Sequence, residues 1–167
     1  VTSRILPYRF RMLERQDPGV YLEKSPGAIC PFCPDLIEAL TPRFTPDICA
    51  EGRFRRGRAV LFPNAFPYDR HNAVIALCPD HFVGLDALNT ETMTDGFLLA
   101  WEYFERMAEA EPDLRFASLN WNYMPPAGGG LVHPHLQTIL GGNPTRFPAR
   151  LLRGATDYRV KHGRSLW

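Results

Sequence analysis

The stretch GGGLVHPHLQTIL, residues 128–140, decides how this chain is read. His133, His135 and Gln137 recur at every second position directly after three glycines. Successive side chains of an extended strand point to opposite faces. These three therefore share one face, and Pro134, Leu136 and Thr138 take the other. Upstream, LRFASLNWN (114–122) alternates in the same way. Ala117, Leu119 and Trp121 fall on one side, and Ser118, Asn120 and Asn122 on the other. Laid beside each other, the two strands gather five polar side chains on one sheet surface: His133, His135, Gln137, Asn120 and Asn122. Such a surface is either an idle wet face or a site. The glycines favour a site. Gly128, Gly129 and Gly130 lack Cβ, so their amides can approach an anion and form a nest; a loose hairpin loop is the plainer reading.

Further out, GRAVLFPN (57–64) and NAVIALCP (72–79) read as two strands bounded by Gly, Pro and Asn, pairing antiparallel around AFPYDRH. Between Asn89 and Glu111 the period becomes helical. Met93, Phe97, Trp101, Phe104 and Met107 or Ala108 form a stripe, with Asn89 or Thr90 as cap and Pro112 as terminator. That stripe reads as core. Residues 1–29 hold scattered prolines and charges with room for a short strand. Residues 34–57 read as irregular, because Pro42 and Pro46 break any long helix. The tail from Gly141 leaves room for a helix near 155–162. The sum is an α+β fold: an antiparallel half-barrel sheet with one long helix packed on it, as a single domain over residues 1–167.

Composition excludes several classes. The formal net charge of +1 provides no field for nucleic acid or membrane. The run Arg53, Arg55, Arg56, Arg58 reads as a solvated turn before a strand. No stretch of 18 apolar residues exists, and VTSRILPYRF lacks the apolar core of a signal peptide, so a cytoplasmic location is expected. Of four cysteines, Cys30 and Cys33 form CPFC. In a chain without a secretion signal that pattern points to metal or redox chemistry. Pro34 and the preceding SPGAIC make it look like a loop knuckle, which favours metal. There is no second Cys-x-x-Cys, so the remaining ligands are histidines or carboxylates.

CPFC (30–33), FPNAFPY (62–68), CPDHFVGL (78–85) and HPHLQ (133–137), in this order, resemble the galactose-1-phosphate uridylyltransferase family of the histidine triad superfamily. The resemblance covers most of residues 26–140, and DYRVKHGRSLW is similar to the segment that follows. It implies a histidine-triad-like fold and one structural zinc held by Cys30, Cys33, His81 and His133. It implies His135 as the nucleophile that takes a nucleoside monophosphate from a diphosphate-linked donor. Gln137 would hydrogen-bond the transferred phosphate, Asn64 and Asn122 would hold the nucleotide, and the Gly128–Gly130 loop would lie by the phosphates. The implied partners are a nucleotide sugar and a sugar phosphate.

Two departures bear on the substrate. Leu136 stands where the family carries glycine, as in the related dinucleotide phosphorylases that move AMP. GGGLV replaces a serine-containing segment. A phosphorylase of adenylylated substrates is therefore the alternative, and a zinc-stabilised nucleotide-binding module without turnover is a second one. The family's chains hold two similar halves and this one matches the first, so it is either a fragment of a longer enzyme or a half-size protein that must assemble, for which a homodimer is expected. His71, ten residues before His81, is read as structural or phosphate-proximal rather than a ligand. His162 is read as solvated, and Cys49 and Cys78 as ordinary buried or loop thiols.

Overall fold

A computed structural model describes residues 17–165. The strand allowed for in residues 1–29 falls partly outside that range. Within it, residues 17–29 form helix α1 (Gly19–Lys24) and a 3-10 turn (Gly27–Ile29). Helix α2 (Pro34–Leu40) follows, then β1 (Phe54–Arg56), β2 (Ala59–Pro63) and β3 (His71–Ala76). Helix α3 spans Thr90–Ala110, β4 Phe116–Asn120, β5 His135–Gly141 and helix α4 Arg146–His162. The five strands form one antiparallel sheet in the order β1-β2-β3-β5-β4. The expected α+β architecture is present, with the long helix on one face.

Strand alternation divides the sheet into two layers. Leu61, Ile75, Leu77 and Leu136 pack with Leu99, Tyr103 and Met107 of α3. Phe62, Val74 and Ala76 face the other way, toward Phe32 and Ile37. On that second face β3 and β5 place Ala76 opposite His135 and Val74 opposite Gln137, while β4 places Asn120 opposite Gln137.

Helix α3 begins where expected: the Asn89 side chain accepts from Thr92 N at 2.9 Å. Its buried face differs from the expected stripe. Gly96, Leu99, Ala100, Tyr103 and Met107 are buried, whereas Phe97 and Trp101 are 50% and 62% exposed. Ala108 is exposed, and Met93 and Phe104 only flank the core. The period was legible but the phase was not, because this helix is apolar on two faces. Gly96 fixes the phase. A Cβ there would stand 2.3 Å from Leu77 Cδ2, so any other residue would make the buried Leu77 side chain or the helix move.

Residues 34–57 are more ordered than their prolines suggest. Pro34 occupies the first turn of α2, where its missing N–H costs nothing. Arg53 is no solvated turn residue: it is 3% exposed and caps the end of α2. Its guanidinium donates to the carbonyls of Ile37, Glu38 and Thr41, to Thr41 Oγ1, and to Glu38 Oε2 at 2.8 Å. Arg55 and Arg56 lie on β1, and Arg55 and Arg58 pair with Glu38 and Asp80. Replacing Arg53 with Met strands the last carbonyls of α2. We expect Arg53→Met to lower the unfolding free energy by about 2–3 kcal/mol. A guanidinium titration with an unchanged midpoint would refute this.

The tail helix is also longer than expected, starting at Arg146 rather than near 155. Pro148 sits in its first turn, where no intrahelical N–H bond is needed. None of its residues is buried.

Candidate metal centre and nucleophile cleft

Four side chains from three separate segments converge on the sheet face opposite α3. Cys30 follows the 3-10 turn, and Cys33 is the N-cap residue of α2. His81 lies in the loop after β3, and His133 in the bend just before β5. Cys33 therefore does begin a helix, contrary to the loop-knuckle reading. The pair follows a 3-10 turn rather than a strand, and both thiols face histidines. Cys33 Sγ is 3.3 Å from His81 Nδ1 and 3.7 Å from His133 Nδ1; Cys30 Sγ is 3.8 Å from His133 Nδ1. A tetrahedral zinc with ordinary Zn–S and Zn–N bonds has S···N edges of about 3.5 Å. All four ligand atoms lie within 4.8 Å of one another, so the group can hold one metal ion.

The far nitrogens support this. His133 Nε2 donates to the Cys78 carbonyl at 2.9 Å, and His81 Nε2 donates to the Ser25 carbonyl at 2.6 Å. Each bond fixes the tautomer that leaves Nδ1 unprotonated toward the thiols, as in metal sites whose outer shell orients the ligands. Burial lowers the His133 pKa to about 4, keeping the ring neutral. Burial, and then neighbouring Cys30, raise the Cys33 thiol. A cation between the sulfurs reverses that trend, because it stabilises the thiolates directly.

Two residues on, His135 is 8% exposed and donates from Nδ1 to the His133 carbonyl at 2.7 Å. This is the acceptor that the sequence could not identify. Nε2 makes no hydrogen bond to any described residue, and burial lowers the pKa of the ring. His135 borders a cleft of about 210 Å³ that is also lined by Gln137, Asn64, Asn122 and the loop Gly128–Gly130. All the residues expected to react with or hold a nucleotide thus border one cavity. They are not equally free. Asn64 donates to Asn72 Oδ1 at 2.7 Å and accepts from Phe66 N at 3.0 Å, so much of its side chain organises its own loop. Gly128 N donates to Pro125 O and Gly129 N to Met124 O, which closes the turn and leaves Gly130 outside that pair. Gly129 is needed for packing: a Cβ would stand 2.4 Å from the Asn122 carbonyl. The side chains of Gln137 and Asn122 make no bond to described residues. No lysine or arginine among the described residues lines the cleft.

His71 is remote from this face: it opposes Leu140, and its Nε2 lies 2.9 Å from Glu111 Oε1. That contact makes it a structural histidine at the end of α3. His162 is exposed on α4, its ring 4.4 Å from that of Tyr158. Cys49 and Cys78 are buried free thiols, and Cys78 serves through its carbonyl. Sequence reasoning missed Phe32 and Tyr68 as lining residues, and Asn72; Asn120, read as part of this face, also lines the cleft. Asn72 donates to the Thr138 carbonyl and accepts from Asn64 Nδ2 and Tyr68 N. The alternation of β4 already placed Asn120 on this face. For the others no signal existed in the pattern.

No family model matches the chain. It is 32% identical over 168 residues to an uncharacterised protein of Archaeoglobus fulgidus, an alignment covering 99% of this chain and 48% of that one. The chain thus spans about half the length of that relative. Among solved structures, a GalT-like protein from Arabidopsis thaliana superposes with a TM-score of 0.60 at 18% identity, over 81% of this chain and 48% of that one. An ADP-glucose phosphorylase from Arabidopsis thaliana, solved with bound ADP-glucose, gives 0.60 at 16%, over 95% and 51%. A uridylyltransferase gives 0.59 at 22%, over 84% and 47%. The fold of this chain is the one shared by these GalT-like, phosphorylase and uridylyltransferase structures.

Proposed function

We propose that this chain is a member of the galactose-1-phosphate uridylyltransferase family and carries a nucleotidyltransferase site with His135 as nucleophile and one structural zinc on Cys30, Cys33, His81 and His133. The observation that carries the reading is the His135 ring. Its Nδ1–H is committed to the His133 carbonyl, so the lone pair on Nε2 borders a cleft shared with Gln137 and Asn122. In the reaction, Nε2 forms a bond to the α-phosphorus of a nucleoside diphosphate sugar. The bond from that phosphorus to the bridging oxygen breaks, and the sugar 1-phosphate leaves with the electron pair. The ring keeps its Nδ1 proton, so the adduct is a phosphoramidate whose imidazolium ring carries the positive charge beside the phosphoryl's negative oxygen and stays bonded to the same carbonyl. A phosphate oxygen of the acceptor then displaces the imidazole. Gln137, Asn122 and the Gly130 amide are neutral donors for the charge on the equatorial oxygens. Four protein ligands would fill a tetrahedral zinc, which would then leave no position for substrate; held there, it would anchor the bend from which the strand carrying His135 starts.

A phosphorylase of ADP-sugars is the second reading. It draws on Leu136 and on the ADP-glucose phosphorylase likeness, which spans 95% of the chain. The deciding experiment is intact-mass spectrometry after incubation with UDP- and ADP-sugars. The mass of a uridylyl adduct supports the first reading, that of an adenylyl adduct the second. No adduct with any donor leaves a nucleotide-binding module.

Assembly is part of the proposal. Phe97, Leu98 and Trp101 form an exposed apolar stripe on the outer face of α3, and Phe147, Leu151 and Leu152 are exposed on α4. A homodimer covering such surface is expected. Light scattering that finds a monomer at micromolar concentration would overturn it. No described helix is long and apolar enough to cross a membrane.

A further inference from the structure

Phe32 lies between the two cysteines, on the turn closed by Cys33 N donating to the Cys30 carbonyl at 3.2 Å. Its ring stands edge-on to both functional histidines. The centroids are 5.3 Å apart for His135, at 72°, and 6.0 Å apart for His133, at 85°. On the sheet side it leans on Phe62 at 5.2 Å. Phe32 also borders two cavities at once. One is the nucleophile cleft. The other, of about 370 Å³, is floored by Val60 and Ala76 and walled by Ile37. Ala76 is the strand partner of His135, yet His135 borders only the first cavity. The Phe32 ring is therefore a partition. Without it, the His135 imidazole and its Nδ1–H···O bond would face the larger, more open space.

We propose that Phe32 is the positioning residue through which the metal knuckle acts on the nucleophile. It is flanked on both sides by the two cysteines that would bind the metal, so a bound ion would hold its ring against His135 as rigidly as it holds the turn. It limits the imidazole to the orientation that presents Nε2 to the cleft, and it keeps water of the neighbouring cavity off the Nδ1–H bond. The proposal rests on His135 being the reacting group, but it has a consequence that does not require turnover. The Nδ1 proton of His135 should exchange slowly with solvent, and Phe32 should be the reason.

The test uses the metal-loaded protein carrying Phe32→Tyr, Phe32→Leu or Phe32→Ala, with ¹⁵N-labelled histidine. Three quantities are measured: zinc per chain, exchange of the His135 Nδ1 proton with water, and the rate of nucleotide adduct formation against donor concentration. All three variants should keep their zinc. In Phe32→Ala the proton should exchange about tenfold faster or more, and the maximal adduct rate should fall by about tenfold or more, since a loosened reacting group forfeits orientation. Because Phe32 also lines the cleft, the half-saturating donor concentration should rise too, but by less than the maximal rate falls, the mark of an effect that includes the chemical step. Phe32→Leu should fall between, and Phe32→Tyr should restore most of both. Unchanged exchange and unchanged maximal rate in Phe32→Ala would overturn the proposal. If that variant loses zinc, Phe32→Leu decides by the same two readouts. If wild-type protein forms no adduct with any donor, the nucleotidyltransferase reading fails, while proton exchange still decides whether Phe32 holds His135.

Discussion

Replacing His135 with Ala should abolish covalent capture of nucleotide while leaving the fold and the metal in place. The expected loss is large because no other histidine can take its role. His133 directs Nδ1 at the thiols and commits Nε2 to the Cys78 carbonyl. His81 is committed likewise, through Nδ1 to Cys33 and Nε2 to the Ser25 carbonyl. His71 is held by Glu111 at the far end of the sheet. Removing a sole nucleophile typically costs about 10⁴-fold or more. The structural cost is modest: the His133 carbonyl loses its donor and Phe32 loses a ring contact, about 1–2 kcal/mol together. Intact mass after donor incubation, metal analysis and circular dichroism together separate these effects. An adduct on His135→Ala of wild-type mass and yield, or a wild-type adduct mapped to another residue, would refute the assignment.

How much of this was legible in the sequence depends on what each signal encodes. Period-2 alternation encodes faces, so the shared face of His135, Gln137 and Asn120 could be read directly, and Asn120 does stand opposite Gln137; Asn122 and His133 lie past the ends of β4 and β5, so alternation alone does not place them. A helical period encodes a helix but not its phase when apolar residues lie on two sides. Phe97 and Trp101 look like core and are exposed, while Gly96, which carries no hydrophobic signal, sits against Leu77. Burial of a charge is harder still. Arg53 reads like its neighbours Arg55 and Arg56, and only the carbonyls at the end of α2 distinguish it. Backbone acceptors are not encoded by side-chain identity at all. The carbonyls of Ser25, Cys78 and His133, which fix three imidazole tautomers, could be found only in three dimensions. The same holds for the glycine loop: three glycines advertise free amides, but two of those amides are used to close their own turn.

Removing the metal should unfold the site face rather than merely lower activity. The 30–33 turn, the loop at His81 and the bend at His133 meet at this point, and the polar ties found there are the bonds to the Ser25 and Cys78 carbonyls. Structural zinc in small motifs binds with roughly 10–16 kcal/mol at neutral pH, which matches or exceeds the whole stability of a typical domain, about 5–15 kcal/mol. Without the ion, two cysteine and two histidine side chains are left packed together with nothing to bridge them. The sign of the pH dependence follows. Burial raises the metal-free Cys33 thiol above its ordinary value, so it is protonated at neutral pH, and binding must displace that proton. Affinity should therefore weaken as pH falls. Wild-type protein should carry one zinc per chain. Cys33→Ser should carry almost none and lose its cooperative thermal transition, and a strong chelator should do the same to wild type, faster at pH 5.5 than at pH 8. Phe32 and His135 ride on the same turn and strand, so adduct formation should disappear along with the transition and not after it. A metal-free wild type that melts cooperatively, or a disulfide between Cys30 and Cys33 in the active protein, would show that the four residues serve some other end.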